Sequence, residues 1–156
     1  MRIEVTPSTD PVAVRLVQDL LADLDERYGP EEDGGAAWLA ETAPHYVSPP
    51  SGVFVVAYLD DGTPAGCGAV KRYDDEAGEL KRMFTAPAGR GQGIGRALLV
   101  RLEEEARRIG YSKLRLETGS VQHEAVGLYT SMGYEPIEPY GMYKDHPHTL
   151  CFEKRL

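Results

Sequence analysis

The chain has 156 residues, 42% of them hydrophobic and 27% charged, a composition and length that fit a single domain spanning 1–156 with one sizeable core. A formal net charge of −8 argues against a broad basic surface for nucleic acid. No apolar run approaches the roughly 20 residues of a membrane span, and Met1-Arg2-Ile3-Glu4-Val5 lacks the apolar core of a secretory leader, so no membrane partner and a cytoplasmic location are expected.

Ile3 to Thr6 reads as a short strand. Asp10-Pro11 predicts a helix start, an acceptor at the N-cap followed by proline at the first helical position. Val12, Leu16, Leu20 and Leu24 then recur every four residues, with Val17, Leu21 and Tyr28 beside them, until Gly29-Pro30 stops the helix. Acids crowd this helix and the loop after it: Asp19, Asp23, Asp25, Glu26, Glu31, Glu32 and Asp33. They read as a solvated face, with attraction of a cationic substrate as the sharper alternative. Within the Gly-, Pro- and acid-rich stretch 29–50, Ala36 to Glu41 reads as a short helix and the rest as loop. Val53 to Leu59, Pro64 to Tyr73 and Glu79 to Thr85 are strands, joined by turns at Asp60-Asp61-Gly62-Thr63 and Asp74-Asp75-Glu76-Ala77-Gly78, which predicts an antiparallel meander. Leu80 and Met83 both look like core residues yet stand three apart, where a plain strand puts one face at even spacing. An extra, bulged residue between them reconciles the two.

A helix from Gly93 to Ile109 buries Ile94, Leu98, Leu102 and Ala106, and Gly110 ends it. Glu103 with Arg107, and Glu104 with Arg108, are spaced as i,i+4 pairs. Lys113 to Thr118 is a strand, so the strand, helix, strand order predicts a parallel right-handed crossover. Gln122 to Met132 is a further helix closed by Gly133. Residues 134–148 carry Tyr134, Tyr140 and Tyr143 among prolines and read as irregular chain. Thr149 to Lys154 is the last strand, whose exposed edge would support a dimer; a monomer or a homodimer is expected. Cys67 and Cys151 have no metal-ligand spacing and read as reduced packing residues.

Arg90-Gly91-Gln92-Gly93-Ile94-Gly95 follows the third strand and opens the long helix. Glycines at this spacing let backbone N–H groups converge, and a helix N-terminus adds its own free donors and positive dipole end. The stretch predicts a seat for a diphosphate; a tight turn without a ligand is the other reading. A P-loop would need Gly-Lys-Ser/Thr, but Gly95 is followed by Arg96-Ala97. A dinucleotide fingerprint would need a third glycine where Arg96 stands.

Downstream lies Ala125-x-x-Leu128-Tyr129-x-x-x-Gly133-Tyr134. With Arg90, Gly93 and Gly95 matching Gln/Arg-x-x-Gly-x-Gly/Ala, the two motifs resemble the GNAT superfamily of acetyl-CoA-dependent N-acetyltransferases. The resemblance implies an α/β fold of the GNAT type: a mixed, twisted sheet of about 6–7 strands with helices on both faces. It places the splay of that sheet between the Glu79 and Lys113 strands. It implies acetyl-CoA as cosubstrate, with the pyrophosphate on the amides of Gly91, Gln92, Gly93, Ile94, Gly95 and Arg96. The pantetheine arm would pair with Met83, Phe84 and Thr85, and an N–H at the bulge would polarise the thioester carbonyl. Gln122 stands where many relatives carry Asn and is a further cofactor contact.

Acetylation of an amine needs a neutral nucleophile, a stabilised oxyanion and a protonated leaving thiolate. By the resemblance, Tyr129 is the general acid facing the sulfur. Glu79 matches the place where some relatives keep a catalytic glutamate, Glu117 is the reserve base, and a water chain is the third option; His123 reads as a surface residue. Lys71, Arg72, Lys81, Arg82 and Arg115 form a cationic cluster, read as cross-strand partners of Glu79 and Glu117, or alternatively as a seat for an acceptor carboxylate. Glu117, Arg82 and Tyr140 are candidate acceptor contacts, and the 134–148 loop would wall that site. His146 and His148 supply two metal-ligand types without a third, so no metal is expected. The expected activity is acetyl transfer to a primary amine of a small molecule, amino acid or peptide. The rival is a non-catalytic acyl-CoA-binding sensor or interaction module.

Overall fold

The computed structural model describes residues 1–156. Seven strands form one sheet: β1 (Arg2–Val5), β2 (Val53–Tyr58), β3 (Pro64–Arg72), β4 (Ala77–Thr85), β5 (Lys113–Gly119), β6 (Glu135–Ile137) and β7 (Thr149–Arg155), in the order β1-β2-β3-β4-β5-β7-β6. Every pairing is antiparallel except β4 with β5, which run parallel. The helices are α1 (Pro11–Tyr28), α2 (Ala36–Ala40), α3 (Ile94–Ile109) and α4 (His123–Ser131).

Helix α1 begins as the sequence predicts: the Asp10 carboxylate accepts from the Val12 N–H at 2.9 Å, and Pro11 occupies the first turn. Its buried stripe, Ala13, Leu16 and Leu20, packs with Phe54, Val56, Cys67, Ala69 and Phe84 on one face of the sheet. Helix α3 covers the opposite face, where Ile94, Leu98, Leu99, Leu102 and Ala106 meet Val53, Val55, Val70, Leu114 and Leu116. Alternate residues of one strand therefore feed two separate cores. Leu102 is fully buried at the centre of the larger one. Leu102→Ala should cost about 2–5 kcal/mol of unfolding free energy, read as a lowered denaturation midpoint at constant slope.

Helix α3 departs from its expected surface pairing. Glu103 is buried, accepts from the Tyr134 hydroxyl at 2.9 Å and from Lys154 Nζ at 2.9 Å, and has Arg107 only at 3.9 Å. Arg108 bonds Glu105 rather than Glu104. The chain after α4 also differs from expectation. Glu135–Ile137 forms β6 against β7, so the last strand is covered, and the free edges are β1 and β6. Short 3-10 turns form at Pro44–Val47, within the stretch 29–50 outside its expected helix, and at Pro87–Gly89. Cys67 and Cys151 are both buried and free.

Two features of β4 create the site. It pairs with β5 only through Ala77–Glu79 and Lys113–Arg115, after which the strands diverge and leave one edge of β4 open from Lys81 to Thr85. Its register against β3 jumps between Cys67↔Phe84 and Ala69↔Lys81, the expected bulge. Arg82, at φ 60°, takes up the extra residue, and Leu80 and Met83 consequently reach the same core.

Candidate active site

The cleft between the diverging strands holds a cavity of about 440 Å³. Met83, Phe84 and Thr85 line it from β4; Arg90, Gly91, Gly93, Ile94, Gly95 and Arg96 from the start of α3; Gln122 and Tyr129 from α4 and its approach. The amides from Gly91 to Arg96 make no hydrogen bond within the protein, and Gly93 caps α3 with no side-chain acceptor. This is a set of aligned free donors at a helix N-terminus, the chemistry that a diphosphate requires. Gly91 and Gly93 adopt φ 74° and 77° with open space where a Cβ would lie, so backbone conformation and not crowding demands glycine. The Gln92 side chain is exposed and outside the cavity, its Nε2 donating to the Ala88 carbonyl at 2.8 Å, while its backbone N–H is free like those of its neighbours.

Gly93→Val puts a β-branched residue at positive φ, strain of about 1–3 kcal/mol that the chain can relieve only by distorting the loop. The expected outcome is roughly tenfold or more weaker binding of coenzyme A by calorimetry, with the melting temperature lowered by the several degrees that this strain accounts for.

Tyr129 is 6% exposed and faces this cavity. Burial pushes its phenol well above the ordinary tyrosine range, so it keeps its proton. Its ring stands edge-on to Tyr134, 5.9 Å between centroids, and Tyr134 is fixed by Glu103 and Lys154. That buried support was hidden in the sequence because Glu103 has the spacing of a surface ion pair.

A second cavity, about 170 Å³, lies beside the first. Glu117 opens into it from β5, with Tyr28 from α1, Trp38 from α2 and Tyr143 from the 134–148 loop. Gln122 lines both cavities, and its Nε2 donates to the Tyr28 hydroxyl at 3.0 Å. A Cβ at Gly119 would collide with that hydroxyl, so glycine is what lets Tyr28 cross over β5. Tyr28 was readable only as a helix-face residue, because its partners come from 94 residues away.

The two candidate bases differ in their surroundings. Glu79 is buried, accepts from the Tyr140 hydroxyl at 3.0 Å, has Lys81 Nζ at 3.6 Å, and lines neither cavity. Glu117 has one carboxylate oxygen, Oε2, buried without any hydrogen-bond partner. Burial pushes its pKa up to about 7; Lys81 opposes this, and the neighbouring Glu41 and Glu79 add to it. Tyr140 also stands apart from both cavities, packed edge-on against Tyr73 at 5.2 Å and under the Arg115 guanidinium at 4.9 Å. Tyr143, three residues on, takes the wall position expected of it.

The cationic cluster does not exist as one group. Arg72 bonds Asp75 in the turn, Lys71 donates to the Glu41 carbonyl at 2.7 Å, and Arg115 bonds Glu153 at 2.6 Å. Lys81 bonds Glu41 and sits near Glu79, while no cation pairs with Glu117. Arg82 is buried and stacks on Trp38 at 3.4 Å; its Nε donates to Thr42 Oγ1 at 2.9 Å and a second nitrogen bonds the Trp38 carbonyl. It ties the bulge to the segment that walls the smaller cavity and is not itself part of that wall. Burial lowers it to about 10, which still leaves it charged at neutral pH. His123 is exposed on the first turn of α4.

The chain belongs to the acetyltransferase (GNAT) family, whose profile matches residues 16–134. It is 47% identical over 97 residues to an IAA acetyltransferase of Azospirillum brasilense, a match covering 61% of this chain and 63% of that protein. The chain thus spans less than two thirds of that relative's length. Its fold is similar to that of a protein assigned as an acyl-CoA N-acyltransferase from Klebsiella pneumoniae, with a TM-score of 0.78, 32% identity, and coverage of 99% and 97% of the two chains. A GNAT family acetyltransferase from Elizabethkingia anophelis, solved with acetyl-CoA bound, shares the fold at a TM-score of 0.69 and 21% identity, over 99% and 97% of the chains. No helix is long and apolar enough to cross a membrane.

Proposed function

We propose that the protein transfers an acetyl group from acetyl-CoA to a primary amine of a small molecule, by direct attack through a tetrahedral intermediate. The observation that carries this reading is the pair of adjoining cavities with Gln122 at their junction, a protonated Tyr129 in one and an unpartnered Glu117 in the other. The free amides from Gly91 to Arg96 hold the donor's pyrophosphate, and the open edge of β4 at Met83, Phe84 and Thr85 receives its extended arm. The bulge at Arg82 supplies backbone donors at the point where charge builds on the carbonyl oxygen.

Glu117 takes the proton from the attacking amine. A lysine-like amine costs about 4–5 kcal/mol to deprotonate at pH 7, so a base with a pKa near the working pH is well matched to the task. Glu79, already engaged by Tyr140 and Lys81, serves to hold that wall in place. Tyr129 gives its proton to the sulfur as the C–S bond breaks. Coenzyme A should raise the melting temperature and ATP should not; protection by ATP alone would make the glycine loop a nucleotide site and remove the donor assignment.

A further inference from the structure

The two cavities carry opposite charge. The donor side presents Arg90, Arg96 and the free amides, with Glu124 and an Arg27–Asp23 ion pair on its rim; the acceptor side is lined by Asp25, Glu31 and Glu117 and by no lysine or arginine. None of these three carboxylates is in an ion pair, since the cations of the neighbouring strands are engaged with Glu41, Glu79, Glu153, Asp75 and the Trp38–Thr42 segment. Glu117 pairs with no cation, and its Oε2 is buried without a hydrogen-bond partner. Three aromatic side chains, Tyr28, Trp38 and Tyr143, share the wall with Leu21 and Leu24, and His146 and His148 stand on it beside Tyr28, with the charge of Glu31 close to the Tyr143 phenol. Carboxylates set among aromatic faces are the surroundings that bind organic cations. At about 170 Å³ the cavity is below the roughly 300–1,000 Å³ of sites for drug-sized ligands, so the part of the acceptor it encloses is small.

We infer that the acceptor is a small aliphatic amine with a second cationic nitrogen and no carboxylate, its reacting nitrogen at Glu117 and its other nitrogen at Asp25 and Glu31. This rests on the acyl-transfer reading above and specifies its substrate class. In the step, the ammonium gives one proton to Glu117, the N–C bond forms and the C–S bond breaks, Tyr129 protonates the sulfur so that coenzyme A leaves as the thiol, and the second nitrogen proton restores Tyr129 through solvent. Acetylation also removes one positive charge from the acceptor. The product is held less tightly than the substrate by the same carboxylates, which favours its release.

The test is thiol release from acetyl-CoA with a matched panel: 1,4-diaminobutane and spermidine against butylamine, and against alanine and aspartate. The expected result is a kcat/KM for the diamine about tenfold or more above butylamine, falling with added salt, and amino acids slower still. In the double variant Asp25→Asn with Glu31→Gln the diamine-to-butylamine ratio should collapse toward one. Retained coenzyme A binding by calorimetry shows that this variant is folded. Equal or better use of butylamine or of an amino acid overturns the inference while leaving acyl transfer standing, as does an unchanged ratio in the double variant. Absence of thiol release with every amine overturns both.

Discussion

Tyr129→Phe should lower kcat by about 10²–10⁴-fold and leave the affinity for acetyl-CoA nearly unchanged. The substitution removes one hydroxyl and keeps the ring that packs edge-on against Tyr134. Since Tyr129 donates no hydrogen bond to another side chain in the free protein, its loss strands no buried partner, and the fold should be as stable as before. The low dielectric that keeps the phenol protonated also penalises a bare thiolate, so a proton donor at Tyr129 would count most for a sulfur leaving in this cavity. Steady-state kinetics beside calorimetry separates the two parameters. An unchanged kcat removes Tyr129 from the chemistry.

Glu117→Gln should cost about 10²–10³-fold in kcat/KM for an alkyl amine. The wild-type rate should rise as pH passes through about 7, where Glu117 loses its proton, and level off above; the variant should lose this step. Stability moves in the opposite sense. The carboxyl is raised from 4.5 to about 7 by folding, so over that interval the native state binds more protons than the unfolded state, and stability falls as pH rises. Gln carries no such proton. Glu117→Gln should therefore melt higher than wild type at pH 8 and show no such gain at pH 4. A Glu79→Gln variant with the larger kinetic loss and the flattened profile would return the base role to Glu79.

Much of this arrangement was legible in the sequence, for identifiable reasons. Helix α3 repeats its apolar residues over several turns and is bounded by Gly93 and Gly110, signals that are local to the chain. The bulge showed itself in the odd spacing of Leu80 and Met83, because the two-residue period of a strand is strict. The splay of the sheet came from the family resemblance, since nothing within β4 or β5 alone states where their pairing ends. What remained hidden depends on contacts between distant segments. Glu79 and Glu117 are alike as sequence, two acids on neighbouring strands; Tyr140 from 61 residues away engages one and leaves the other bare. The cations of β3 and β4 were grouped by strand proximity, yet Glu41, Thr42 and Trp38 draw three of them toward α2 and its following loop. Strand β6 has three residues with a proline at its centre, too short to show a period, and β7 alone makes it a strand.

The central claim is that this site moves an acetyl group and does not merely hold its donor. Mass detection of products from acetyl-CoA and the amine panel tests it most directly. Acetylated amine should appear in step with free coenzyme A, dependent on both Tyr129 and Glu117. Tight acetyl-CoA binding with no amine-dependent product would contradict it and leave an acyl-CoA-binding module in its place.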